Sequence, residues 1–364
     1  MRLSLILAAL WWCHLNSNSP TTVLDAFTPT ATTFQQRSIT TPSTSCLHGI
    51  SEWRDLMFGF PGTGDDRRLG TESTGPPKEV CILPFPFEDV ILQGETKQLR
   101  LYEERFLKLF EYCMENHEGV VAMGLLADTG IIQTVPLCEI EAYNRLEGFG
   151  IFVTIRVVGR AQLDEILQQT PYLKAVCREL NDEIPPNLEL PNLLASNIEN
   201  HLLLLSNMEA QLAVAPTNET GNEDSEEAAE MKRRIQIAKL DDRFYDDLGD
   251  EEDEEVEQLD RGGRFKQAFE IAKATDTQGY CVSPGGMTID RTPQDLTAAS
   301  WAAFCTSVIP EEDAATRIQA LDCENLFERL KLASHMLKDK KNRLKKAMEK
   351  AGIPYKGEEF DEDF

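Results

Sequence analysis

Two pairs of carboxylates stand close enough in the sequence to work together: Asp89 with Glu95, and Glu103 with Glu104. Paired acids can divide general acid and base work when their surroundings push their pKa values apart. The neighbouring residues argue for a plainer role. Glu103 and Glu104 open a helical pattern, where the positive end of the helix dipole favours acids, and Asp89 and Glu95 fall in turns. His117-Glu118 begins like the zinc-binding His-Glu-x-x-His but continues Gly119-Val120-Val121. Gly62-Thr63-Gly64 is followed by no Gly-Lys-Ser/Thr and reads as a loop, not a phosphate cradle. Nine cysteines, at 13, 46, 81, 113, 138, 177, 281, 305 and 323, form no Cys-x-x-Cys pair. Seven of them lie scattered among apolar residues beyond position 50, the pattern of buried reduced thiols rather than of a disulfide framework. This reading assigns no catalytic, cofactor-binding or metal-ligating residue, and no cofactor.

The elements that would position any site follow from hydrophobic period. Residues 80–87 alternate loosely and carry Pro84 and Pro86, which belong on an edge strand or its start. Residues 98–102 form a second short strand. Residues 103–114 form a helix with Phe106, Leu109, Phe110 and Cys113 on one face. Strands are expected at 120–126, 131–135, 137–143 and 149–158. In the last, Phe149, Ile151, Val153, Ile155 and Val157 share one face, opposite Thr154 and Arg156. Many short strands around one helix predict a small barrel or strongly curled sheet. From about Pro191 the period becomes helical, with a stripe of Ile198, Leu202, Leu205 and Leu212 beside which His201 reads as a core or boundary residue. Further helices are expected at 264–273, from Asp295 as a cap through Cys305, after Pro310, and at 321–348.

The 364 residues (41.0 kDa) are 41% apolar and 27% charged, enough for a folded core. The formal charge of −26 excludes a generally basic nucleic-acid binder. Half of that excess, a net −13, lies between residues 213 and 260, so 216–263 reads as an acidic, disordered insertion and 351–364 as an acidic tail.

The N-terminus reads as an address. Arg2, an apolar run from Leu3 to Cys13 and then Asn16-Ser17-Asn18-Ser19 have the layout of a signal peptide, and the run is shorter than the ~20 residues of a membrane span. Residues 26–51 hold no acid and many Ser and Thr, as a transit peptide does. The junction Ala26-Phe27-Thr28-Pro29 resembles the bipartite plastid presequences of diatoms and related algae. The expected division is 1–26 signal peptide, 27–50 transit peptide, 51–78 linker, 79–190 barrel, 191–215 helical segment, 216–263 insertion and 264–350 helical bundle. The expected location is the plastid stroma, which the reduced-looking cysteines favour; the alternative is secretion.

Several motifs occur together and in order. Leu83-Pro84-Phe85-Pro86-Phe87 resembles the opening of the N-terminal substrate-binding domain of Lon proteases. Val90-Ile91-Leu92-Gln93-Gly94-Glu95 and Leu99-Arg100-Leu101-Tyr102-Glu103-Glu104-Arg105-Phe106 resemble its next two segments, with Gln93 and Gln98 where the family has Pro. Val157-Val158-Gly159-Arg160 follows in place, and Pro171-Tyr172-Leu173-Lys174-Ala175 resembles the segment that leaves the barrel. The resemblance implies an α+β fold, a PUA-like β-barrel followed by an α-helical bundle subdomain. It also implies a stand-alone, non-catalytic domain that binds unfolded or client polypeptide, with a plastid protease as a further partner. No Gly-x-x-x-x-Gly-Lys-Ser/Thr occurs, and the region that carries the family's Ser-Lys protease dyad is not expected. An RNA-binding PUA-like protein and an uncharacterised enzyme are the alternatives; the net −11 over residues 78–212 weighs against RNA.

Overall fold

A computed structural model describes residues 48–55, 76–146, 148–214, 259–276, 291–310, 312–350 and 352–353. Helix α1 (His48–Asp55) precedes strand β1 (Lys78–Pro86), a 3-10 turn (Phe87–Asp89), β2 (Thr96–Leu101) and α2 (Glu104–Asn116). Then come β3 (Val120–Ala127), β4 (Gly130–Ile131), β5 (Thr134–Leu146), β6 (Gly150–Gln168) and β7 (Leu173–Glu179). The helices that follow are α3 (Glu189–Val214), α4 (Arg261–Thr275), α5 (Pro293–Ala302), α6 (Ala314–Asp322) and α7 (Leu326–Lys350).

The sheet closes on itself. Its order is β1-β7-β6-β5-β3-β4, and β1 also pairs with β3, in parallel, so five strands form a ring. Closure removes the open edges that an isolated sheet would expose. Helices α3, α4, α5 and α7 then pack together and α6 packs on β5 and the 3-10 turn, which gives an α+β architecture of a barrel followed by helices. Among the described residues no helix is long and apolar enough to cross a membrane.

Where strands were expected, strands form, with three instructive differences. Residues 131–135 and 137–143 are divided elsewhere: Ile131 belongs to β4, and β5 runs from Thr134 through Pro136, which sits opposite Arg160, and absorbs two register shifts as bulges. Residues 173–179, read as leaving the barrel, are β7, which pairs with both β1 and β6 and completes the ring. Phe149 is not on the buried face of β6 but in the turn before it, largely exposed, while Ile151, Val153, Ile155 and Val157 are buried as expected. The prolines of β1 have a clear reason. Pro84 and Pro86 pair only with β3, because the β7 pairing ends at Ile82. They occupy the stretch of β1 with one open side, where a missing N–H costs least.

The helix boundaries differ for reasons of capping. Thr292, not Asp295, is the N-cap of α5: its hydroxyl accepts from Asp295 N–H while the Asp295 carboxylate accepts from Thr292 N–H. The helix expected after Pro310 is α6, which starts at Ala314 with Asp313 as its cap, the carboxylate accepting from Thr316 N–H. The helix expected over 321–348 is two, broken between Asp322 and Leu326. Helix α4 begins at Arg261, inside the stretch 216–263, with Asp260 as its cap accepting from Gly263 N–H. Residues 216–258 of that insertion, residues 1–47 and the acidic tail from residue 354 lie outside the described residues, whereas residues 48–50, expected to end the transit peptide, open α1, and Ile50 is buried.

Both faces of β1 and β3 are buried, which explains their near-continuous apolar runs. Cys81, Leu83, Val121, Met123 and Leu125 belong to the larger core, continuous through α2 and the helices. Val80, Ile82, Val120 and Ala122 face a smaller core on the other side, closed by Ile50 and Trp53 of α1. The stretch 51–78 is therefore not wholly a linker. The Lys78 ammonium donates to Trp53 O at 3.0 Å, and Arg54 forms an ion pair with Glu179 on β7.

Candidate functional site

The carboxylates singled out by spacing are held apart, each by a structural partner. Asp89 pairs with Lys97 at 3.1 Å, Glu103 with Arg105 at 2.7 Å and Glu104 with Lys108 at 2.7 Å. Glu95 has a different task that spacing did not reveal. Its carboxylate accepts from Leu92 N–H and Thr306 N–H, both at 2.7 Å, and pairs with Arg317, so it ties the barrel to the helices. His201 is buried on α3, among the helices.

A second tie lies at the same seam. Asp182, just past β7, is buried and binds Arg160 of β6 and Arg329 of α7. Burial alone pushes its carboxyl up; the charges and hydrogen bonds of the two arginines outweigh that and hold it below the usual carboxylate range. Arg329 also donates to Ser300 Oγ at 2.8 Å, and its guanidinium lies 3.8 Å from the centre of the Trp301 ring. These contacts are structural in geometry: nothing in the cluster faces solvent.

One surface does face outward with apolar groups. Strand β2 pairs with β6 alone among the described strands, and its other side carries no strand. Arg100 on β2 stands directly opposite Phe152 on β6. The Arg100 guanidinium lies 5.8 Å from the ring centres of Tyr102 and Phe152 and 5.9 Å from that of Phe149, and it donates to Phe149 O at 2.9 Å. The three rings are 67%, 42% and 62% exposed in the order Tyr102, Phe152 and Phe149. Tyr143, half-exposed on β5 opposite Val153, lies on the other face of the sheet and stacks edge-on against the buried Phe110 at 5.1 Å. Gly150 makes this arrangement possible: it has φ +102°, and a Cβ there would stand 2.2 Å from Leu101 O. Exposed rings gathered about one cation beside an open strand edge are suited to holding an extended chain by backbone pairing and ring contact.

A third grouping is polar and buried. β1 presents Glu79 and Cys81 two residues apart on one face; α2 presents Cys113 and His117 one turn apart. The donor atoms of Cys81, Cys113 and His117 all lie within 4.8 Å of one another. The hydrogen-bond interaction with Cys113 lowers the Cys81 thiol most, burial opposes it, and His117 and Lys174 add to the lowering, to about 6. The Cys113 thiol is raised in return. By contrast, burial alone pushes the Cys138 thiol up. Reading cysteines as scattered apolar residues missed this grouping. The available signal was the pair of spacings, Glu79-x-Cys81 and Cys113-x-x-x-His117.

No protein family and no curated relative matches the chain. Among solved structures it is similar to the N-terminal domain of Mycobacterium avium complex Lon protease, with 15% identity over 72% of this chain and 99% of that one, at a TM-score of 0.38. It is also similar to a Lon N-terminal domain protein from Xanthomonas campestris, with 21% identity over 35% of this chain and 74% of that one, at a TM-score of 0.28.

Proposed function

We propose that the chain is a non-catalytic polypeptide-binding module of the Lon N-terminal type, acting in the plastid as an adaptor or chaperone-like factor that holds unfolded clients for a protease. The observation that carries the binding reading is the exposed set of Tyr102, Phe149 and Phe152 around Arg100, beside the unpaired side of β2. An extended client would add backbone hydrogen bonds to β2 and lay apolar side chains on the rings, gaining roughly 25 cal/mol for each Å² of apolar surface removed from water. The ordered motifs from Leu83 to Ala175 support the Lon-type reading, and the signal-like and transit-like segments before residue 51 support the plastid.

The test is fluorescence anisotropy of the purified full chain with a labelled, reduced and carboxymethylated protein that stays unfolded. Micromolar binding, about −8 kcal/mol, is expected. The double substitution Tyr102→Ser and Phe152→Ser should weaken it at least tenfold without changing the melting temperature. Equal binding by that variant overturns the site, and no binding by the natural chain overturns the function. The same preparation should show no ATP turnover and no cleavage of casein. For location, a fluorescent fusion of residues 1–50 should enter the plastid and be diverted by Phe27→Ala; import indifferent to Phe27 overturns the bipartite reading.

A further inference from the structure

From the convergence of Cys81 of β1, Cys113 of α2 and His117 at the end of α2, with Glu79 beside them, we infer a buried site for a borderline-soft divalent cation, zinc above all. The donor types are right. Thiolate and imidazole are the ligands of structural zinc, and a four-donor closed set is its usual form.

The geometry is nearly that of the bound state. A tetrahedron with Zn–S of about 2.3 Å and Zn–N of about 2.1 Å has edges of roughly 3.4–3.8 Å. The three donor atoms, within 4.8 Å, need only a small inward rotation of their side chains. Both halves of the site are firmly placed. Cys81 lies mid-strand, paired with Lys174 of β7. His117 is the C-cap of α2, its N–H bonded to Cys113 O at 2.9 Å, and the chain turns away immediately through Glu118 and Gly119 at positive φ.

His117 supplies an independent sign that a ligand is missing from the bonding pattern. It is buried, its Nδ1 has no hydrogen-bond partner, and its Nε2 stands 3.6 Å from Glu79 Oε1, too far for a good hydrogen bond. A buried imidazole with one nitrogen unpaired is uncommon, and a coordinated cation would satisfy it. The fourth position falls to Glu79. Its Oε1 accepts from Tyr112 Oη and Lys174 Nζ, both at 3.0 Å, and lies 3.6 Å from His117 Nε2, so the carboxylate is held beside the three donors and would move in to complete the set. These partners are the outer shell that metal sites generally require. The charges also close: two thiolates, one carboxylate, a divalent ion and the Lys174 ammonium sum to zero, which suits a buried place.

The test uses the untagged full chain, purified under reductant, stripped with a chelator and titrated with Co²⁺, then with Zn²⁺. One cobalt per chain should bind and give thiolate-to-cobalt charge-transfer absorption with the strong visible bands of a tetrahedral ion; zinc should abolish both. Cys81→Ser and Cys113→Ser should each weaken binding about 100-fold or more and diminish the charge-transfer band, and Lys174→Met should weaken it roughly 10- to 100-fold through Glu79. Cys305→Ser, remote from the cluster, should change nothing. Should the thiol variants fail to fold, X-ray absorption at the zinc edge of the natural chain decides: two sulfur neighbours with the remainder nitrogen and oxygen support the site. A first shell without sulfur, no charge-transfer band in the natural chain, or an undiminished band in Cys113→Ser overturns it.

Discussion

Arg160 of the barrel and Arg329 of the last helix donate to the same oxygen, Asp182 Oδ1, at 2.7 and 2.8 Å. Both guanidinium groups are buried, so neither can turn to water if the carboxylate is lost. Asp182→Asn should therefore cost about 3–5 kcal/mol in urea unfolding, the usual penalty for breaking a buried pair from one side. The acid dependence has a definite sign. The folded pKa lies below the unfolded value of about 3.9, so the stabilisation is complete above that pH and is lost as pH falls through the lower folded value. A plot of unfolding free energy against pH should lose its steepest acidic segment in Asp182→Asn.

Gly150→Ala should displace the start of β6 from β2. The left-handed backbone at φ +102° and the contact with Leu101 O both resist a side chain. A loss of about 1–3 kcal/mol is expected, with a fall in unfolded-client binding, because Tyr102 follows Leu101 directly. Gly148→Ala meets nothing within 4 Å of its Cβ, and only its φ of +78° resists a side chain, so its loss of stability should be smaller than that of Gly150→Ala.

Trp53→Ala should cost about 3–5 kcal/mol, as for a large aromatic removed from a core, because only 2% of Trp53 is exposed. Glu52→Ala, exposed on the same helix, should stay within about 0.5 kcal/mol. Equal melting temperatures for the two variants would refute a packed α1.

Deletion of residues 216–258 should leave cooperative melting intact, since that segment carries a large negative charge and no apolar period. Extending the deletion to residue 262 should lower the melting temperature by several degrees. It removes the Asp260 cap and Arg261, which pairs with Glu209 and donates to Val308 O at 2.8 Å.

Most strands and helices were legible because their signals are local: alternation in β6, a stripe in α3, an apolar run in β3. What escaped depends on closure. Nothing in Leu173-Lys174-Ala175 says that it completes a ring, because its partners lie along β1, some ninety residues earlier. The Cys81 grouping escaped for the same reason, since two short spacings become one site only when α2 packs on β1. Asp182 sits in a polar stretch, Asn181-Asp182-Glu183, that reads as an ordinary loop, and its burial is set by arginines distant in sequence. Phe149 was misplaced because alternation was extended one step past the turn that Gly148 and Gly150 impose.

The smaller core closed by Ile50 and Trp53 sets a boundary on how much of the N-terminus the fold can lose. An eight-residue helix holds little structure by itself, so α1 opens and closes as a unit against the barrel. Backbone amides beneath it, around Val80 and Val120, would exchange with solvent through that local opening, ahead of amides facing the larger core. Loss of the chain past Trp53 would make the opening permanent, so α1 belongs to the folded unit and not to any segment the fold can do without.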